Sequence, residues 1–162
     1  MAEQEKAVTV LAGATQVAAE EFCVVVDYSM TLRQMIAAGH YNWGRSDITE
    51  ERFPIPHSKR GKEEVVIKLV NFGCDMESDN ALCELDKMGF RPAKSPELLA
   101  LGAVYPEKQL EFPIVALGSV WRDSEGRRRA PRLSKVNSYH EIGLGFVDSA
   151  WDWFYRFAIL RT

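Results

Sequence analysis

Apolar and polar positions alternate along two stretches in the first half of the chain, and both read as strands. Glu21 to Tyr28 (EFCVVVDY) has a β-branched centre, and Glu64 to Phe72 (EVVIKLVNF) sets Val65, Ile67 and Leu69 against Val66, Lys68 and Val70. Between them the spacing becomes that of a helix. Thr31 caps it, Gln34 completes a capping box, Leu32, Met35 and Ile36 form the apolar stripe, and Gly39 stops it. The aromatic turn Tyr41-Asn42-Trp43-Gly44 follows, and Asp47, Pro54, Pro56 and Gly61 mark residues 44–62 as loop. Two more helices are expected. Ser78 caps the first, which carries Leu82, Leu85 and Met88 and ends at Gly89. Ser95 caps the second, with Pro96 at its first position and Glu97 at its positive end.

From Phe112 onward the pattern holds only strands and turns. Strands are expected over Pro113–Trp121, Arg127–Leu133, Tyr139–Phe146 and Phe154–Arg161, with turns at 123–126, 135–138 and 148–149. Pro131 marks an edge or a bulge, and Gly143 and Gly145 inside a strand signal close backbone packing. In the last strand Tyr155, Phe157 and Ile159 are expected to point inward, with Phe154, Arg156 and Ala158 outward. This order predicts an α+β fold, an antiparallel sheet with helices on one side. A length of 162 residues fits a single domain, residues 1–162. Within it, 1–20 is a lead-in whose apolar part is Val8 to Ala19, about 75–106 is a helical layer and 112–162 is β-rich.

Composition narrows the function. Apolar residues at 46% exclude a disordered chain, and a net charge of −3 argues against a global attraction to nucleic acid or anionic membrane. No apolar run reaches the ~18 residues of a membrane span. Glu3 and Glu5 stand where a leader would be basic, so a cytoplasmic location and no membrane partner are expected. Cys23, Cys74 and Cys83 are odd in number and form no CxxC pair, which points away from a disulfide framework or zinc site. The apolar surroundings of Cys23 and Cys83 predict buried, unreactive thiols. No nucleotide-binding or GxSxG motif is present, and the three histidines are far apart. No catalytic residue, metal or cofactor is therefore assigned.

Residues 122–157 stand out. Arg122 to Lys135 holds six basic residues and two acids, a local charge of +4 in an acidic chain. Two readings of Arg127, Arg128 and Arg132 compete: a polar binding surface, or an edge strand protected by charge. Trp151-Asp152-Trp153-Phe154-Tyr155-Arg156 has the composition of an interface hot spot, with core packing of the tryptophans as the alternative.

The C-terminal half also resembles a known family. Phe90-Arg91-Pro92-Ala93-Lys94-Ser95-Pro96-Glu97-Leu98-Leu99 resembles the R-x-A/P-T-x-x-E-L helix start of C-type-lectin-like domains of the formylglycine-generating-enzyme type. Tyr155 to Arg161 is similar to their terminal G-F-R-x-V-R strand, with Phe154 or Tyr155 in place of the glycine. Such domains include the variable proteins of diversity-generating retroelements, and the layout is also similar to uncharacterised bacterial proteins ending in R-F-x-x-V-R. The resemblance covers about residues 90–162. It implies a rigid scaffold displaying a ligand-binding face near its C-terminus; the catalytic cysteines of the enzyme branch have no counterpart.

The expectation is thus a non-catalytic binding module for an unidentified protein or other macromolecule. Trp151, Trp153 and Tyr155 would supply apolar contact area. Arg127, Arg128, Arg132, Asn137, Tyr139, Asp148, Asp152 and Arg156 would supply polar specificity. The alternatives are nucleic-acid binding through the 122–135 cluster and a small enzyme using distant residues such as His40, Asp47 and His140.

Overall fold

The computed structural model describes residues 7–12 and 15–162, with side chains from residue 19 onward. The elements run β1 (Ala7–Ala12), β2 (Thr15–Asp27), α1 (Leu32–Ala38), β3 (Trp43–Gly44), β4 (Lys62–Asn71), α2 (Ser78–Lys87) and β5 (Phe90–Pro92). They continue with α3 (Ser95–Val104), α4 (Lys108–Glu111), β6 (Ile114–Val115), β7 (Trp121–Arg122), β8 (Arg128–Val136), β9 (Tyr139–Phe146) and β10 (Arg156–Arg161). The fold is α+β. All strands join one sheet in the order β1-β2-β4-β10-β6-β8-β9-β3, with β5 beside β10 and β7 beside β8.

The last strand of the chain organises this sheet. β10 lies between β4, its antiparallel neighbour, and β6, its parallel one. Successive residues of a strand point to opposite faces, and both faces of β10 are covered. Phe157 and Ile159 join Ala81 and Leu85 of α2 in one apolar cluster. Ala158 and Leu160 join Leu32 and Met35 of α1 and Leu98 and Leu101 of α3 in the other. The helices therefore lie on both faces of the sheet, not on one. Ala158 accordingly faces core rather than solvent. The sheet is also mixed, because β10–β6 and β3–β9 are parallel pairs.

Local chemistry accounts for most element ends. Thr31 accepts the Gln34 N–H and the Gln34 side chain accepts the Thr31 N–H, closing the expected capping box of α1. α3 starts differently from expectation. Glu97, not Ser95, satisfies the helix start by accepting the Lys94 N–H at 2.9 Å, and its carboxylate is held by Arg91 at 2.7 Å. Ser78 does not cap α2 either; its hydroxyl is used elsewhere in the core. The lead-in expected over residues 1–20 contains the β1–β2 hairpin, so the first long strand begins at Thr15 instead of Glu21. The stretch expected as one strand from Pro113 to Trp121 breaks into β6 and β7 with a loop between. Pro131 lies on β8 between the residues paired to β6 and those paired to β7, where the partner strand changes. β8 is thus interior, and the charged-edge reading of its arginines does not hold; the edges are β1 and β3.

Candidate functional site

β8 and β9 form a hairpin closed by Asn137 and Ser138, with Asn137 in the left-handed conformation (φ 57°) that asparagine tolerates. On one face Ala130, Arg132, Ser134 and Val136 stand opposite Gly145, Gly143, Glu141 and Tyr139. The two glycines make room, as their position inside a strand implied. A methyl group on Gly145 would lie 2.5 Å from the Trp151 ring, and one on Gly143 would lie 2.9 Å from Glu141 Oε1. Trp151 fills the space over Gly145 and is 4% exposed. Its indole N–H donates to Ser78 Oγ at 2.7 Å, and that hydroxyl donates to the Val147 carbonyl at 2.8 Å. Trp151 is therefore core, which removes it from any binding surface.

At the end of this hairpin away from the turn the arginines are matched by acids. Arg128 donates from Nε to Asp148 at 2.7 Å and from its backbone N–H at 2.9 Å. These two bonds hold the Asp148 carboxyl below its ordinary range. Arg127 and Arg129 share Asp123, at 3.1 and 3.5 Å, and Arg129 stacks on Phe146 at 4.0 Å. Burial pushes the Asp123 carboxyl up, but backbone N–H donors and the Arg127 guanidinium outweigh it, and the net shift is downward. Asp123 and Asp148 thus pair three of the clustered arginines.

Toward the turn end the same face opens into a groove of about 480 Å³, where β6 begins and β8 separates from the residues leading into β10. Arg132 lies in its wall and donates from Nη1 to Tyr155 Oη at 2.8 Å. Among the described residues no carboxylate lies within 4 Å of it, and its buried Nε has no partner. Gln109, on the four-residue helix α4, is 1% exposed. Its Nε2 donates to the carbonyls of Ser134 and Glu141 at 2.7 and 3.0 Å, while its Oε1 is buried without a partner.

Aromatic side chains form the rim. Phe154 stacks on Tyr155 with centroids 5.6 Å apart, and Trp153, 62% exposed, meets Phe154 edge-on. Arg156 lies over Phe112 at 4.3 Å, and burial lowers its pKa. The turn carrying these rings is fixed from β4 and the loop after it. Asn71 Nδ2 donates to the carbonyls of Trp153 and Tyr155, and Asp75 accepts the Trp153 N–H at 2.9 Å.

The structure thus divides the expected site. Arg132, Tyr155, Arg156 and Trp153 meet at or beside the groove. Asn137 and Tyr139 stand exposed at the hairpin tip next to Val136, and Asp152 opens the aromatic turn. Arg127, Arg128 and Asp148 lie at the far end of the hairpin, about 25 Å from its tip and about 13 Å from Arg132 at ~3.3 Å per strand residue. Gln109, Phe112, Lys135 and Glu141 line the groove without having been singled out in the sequence. Gln109 had no signal to give, because its partners are 25 and 32 residues away.

Other candidates are placed as follows. His40 is exposed after α1, Asp47 is held by Arg45 and Arg52, and His140 is half-buried on β9. All three cysteines are exposed, contrary to expectation. Cys23 points away from the core that takes Phe22 and Val24, and Cys83 lies opposite the face of α2 that buries Ala81 and Leu85. Among the described residues no group of three His, Cys, Asp or Glu side chains is placed to hold a metal, and no helix is long and apolar enough to cross a membrane. No family model, curated protein or solved structure matches the chain.

Proposed function

We propose that this protein is a non-catalytic binding module whose ligand occupies the groove between α4, β8 and the aromatic turn 152–155. The observation that carries this reading is the pairing of two buried polar groups with spare capacity, Arg132 Nε and Gln109 Oε1, in one groove. Buried polar groups in folded proteins are nearly all bonded, so exceptions that line a groove mark where a ligand would supply the partner. The volume falls in the range of ~300–1,000 Å³ that small-molecule sites occupy. Trp153, Phe154 and Tyr155 add rigid contact area at low entropic cost. The chemistry assigned here is recognition.

Binding can be tested with ¹⁵N-labelled protein and a set of small aromatic fragments bearing carboxylate, amide or amine groups. Amide shifts should concentrate in residues 109–113, 132–136 and 153–156. Shifts confined to other surfaces, or none in these segments, would overturn the assignment.

The resemblance of residues 90–162 to C-type-lectin-like domains supports the same division of labour, a constant scaffold displaying contact residues. It carries its own test. Sequencing the gene across a population of its source should find substitutions at Asn137, Tyr139, Asp152 and Trp153, with Ile142, Leu144, Phe157 and Ile159 fixed. Uniform constancy of the exposed positions would remove this part of the reading.

A further inference from the structure

Resting on that groove, we infer its ligand class: the C-terminal end of a peptide chain finishing in an apolar residue. Three features narrow the choice. Arg132 offers five N–H donors in a planar fork, of which one, from Nη1, has a protein partner. A guanidinium with unbonded donors and no carboxylate within 4 Å accepts a planar anion such as carboxylate. Gln109 Oε1 is an acceptor only, so the ligand must also bring an N–H or O–H donor. A bare anion such as phosphate answers the first demand better than the second. The third feature is the aromatic lining of Phe112, Phe154 and Tyr155, which takes an apolar body.

A terminal residue meets all three demands, with its carboxylate, amide N–H and side chain. Glu111 is paired with Lys108 at 3.2 Å, and Glu141 Oε1 lies over Gly143 on the Arg132 side, more than 4 Å from the guanidinium, whose other N–H donors stay unbonded. Exposed Trp153 continues the apolar surface for residues upstream of the terminus.

Two probes differing in one group provide the test: acetyl-Ala-Ala-Phe with a free carboxylate, and the same tripeptide as its C-terminal amide. Calorimetry should give the acid at least tenfold tighter binding than the amide, with NMR shifts in residues 109–113, 132–136 and 153–156. Arg132→Gln should abolish the tenfold preference for the acid over the amide. Arg132→Lys should fall between. The probe pair needs no variant, so the test survives if Arg132→Gln folds poorly. Free acetyl-phenylalanine should bind more weakly than the tripeptide acid, since it lacks the upstream residues; equal affinity would replace the peptide with a small acyl amino acid.

Equal binding of acid and amide in the groove would overturn the carboxylate and leave the groove reading standing. Inorganic phosphate binding there as tightly as the acid would reduce the requirement to an anion alone and overturn the inference as well. Silence from both peptides while aromatic fragments still shift the groove would reject the peptide terminus, again without touching the groove.

Discussion

The two ends of the β8–β9 hairpin carry the same kind of residue and do opposite things. At one end Arg127, Arg128 and Arg129 each have a carboxylate within 4 Å, and Arg129 is buried against Phe146. At the other, Arg132 has a phenol for its partner and a groove beside it. A run of arginines in a sequence counts charge; it does not say which charges are already spoken for. The acids that answer Arg127, Arg128 and Arg129, Asp123 and Asp148, come from the turns flanking the hairpin, so the closed end completes itself. Arg132 sits mid-strand opposite Gly143, where the Glu141 carboxylate leans over the glycine but stays more than 4 Å from the guanidinium. The tryptophans repeat the lesson. Trp151 and Trp153 are two residues apart, yet one is 4% and the other 62% exposed.

That contrast carries the largest expected effect. Trp151→Ala removes a buried ring that packs on Gly145, Tyr155 and Phe157 and leaves Ser78 Oγ without its donor. Truncating a buried aromatic of this kind costs about 3–5 kcal/mol. Trp153→Ala removes an exposed ring whose backbone anchors remain, so its cost should stay within ~0.5 kcal/mol. Urea unfolding of the two variants side by side measures both. Equal losses would show that the two rings are not divided between core and surface.

Gly145→Ala tests the same packing from below. The added methyl would meet the Trp151 ring, a fixed group wedged between β9 and α2, rather than a flexible chain end. A cost of about 1–3 kcal/mol is expected, in line with overpacking elsewhere. Thermal melting should show it, and Trp151→Ala combined with Gly145→Ala should lose less than the sum of the two single losses. Strict additivity would separate the two residues.

The reach of the sequence reading follows from the same physics. The α1 capping box, the turn at 123–126, the turn expected over 135–138 and found at 137–138, and the glycine packing on β9 are set by residues close in sequence. The placement of β10 at the centre of the sheet is not local. FYRFAILR reads as a one-sided strand, because Ala158 looks outward until a second helical layer is known to cover it. The groove is less visible still. Residue type alone points to Arg132 and Tyr155, but Gln109 stands in a four-residue helix and matters only because its side chain reaches two carbonyls of a hairpin it does not touch in sequence. Cys23 and Cys83 went the other way, because apolar neighbours in sequence say little about which face of an element a residue occupies.

A third consequence concerns nucleic acid. Were the 122–135 cluster a phosphate-binding surface, single-stranded oligonucleotide would bind with a log–log salt slope of several units, since each neutralised phosphate contributes about −0.7. The carboxylates already paired with Arg127, Arg128 and Arg129 lead us to expect a slope of one or less and weak binding. Asp148→Asn should then free Arg128 and steepen the slope. A steep slope in the unaltered protein would mean that the closed end is not closed.

The smallest effect is in acid. The Arg128 N–H and guanidinium hold the Asp148 carboxyl below its ordinary value. A carboxyl depressed in the fold contributes stability that is complete above its unfolded pKa, near 4, and is lost as pH falls through the folded value. Stability should therefore decline below about pH 4, and Asp148→Asn should remove part of that decline by lowering the plateau above it. The decline should be accompanied at the Asp148 end by loosened Arg128 and Val147 amides, seen as faster hydrogen exchange. The groove end has no such carboxylate on Arg132, so exchange at the residue 132 amide should follow only global unfolding over the same range. If both ends loosen together at the same pH, the hairpin opens as one unit, and the separation of its paired end from its open end is a matter of charge alone.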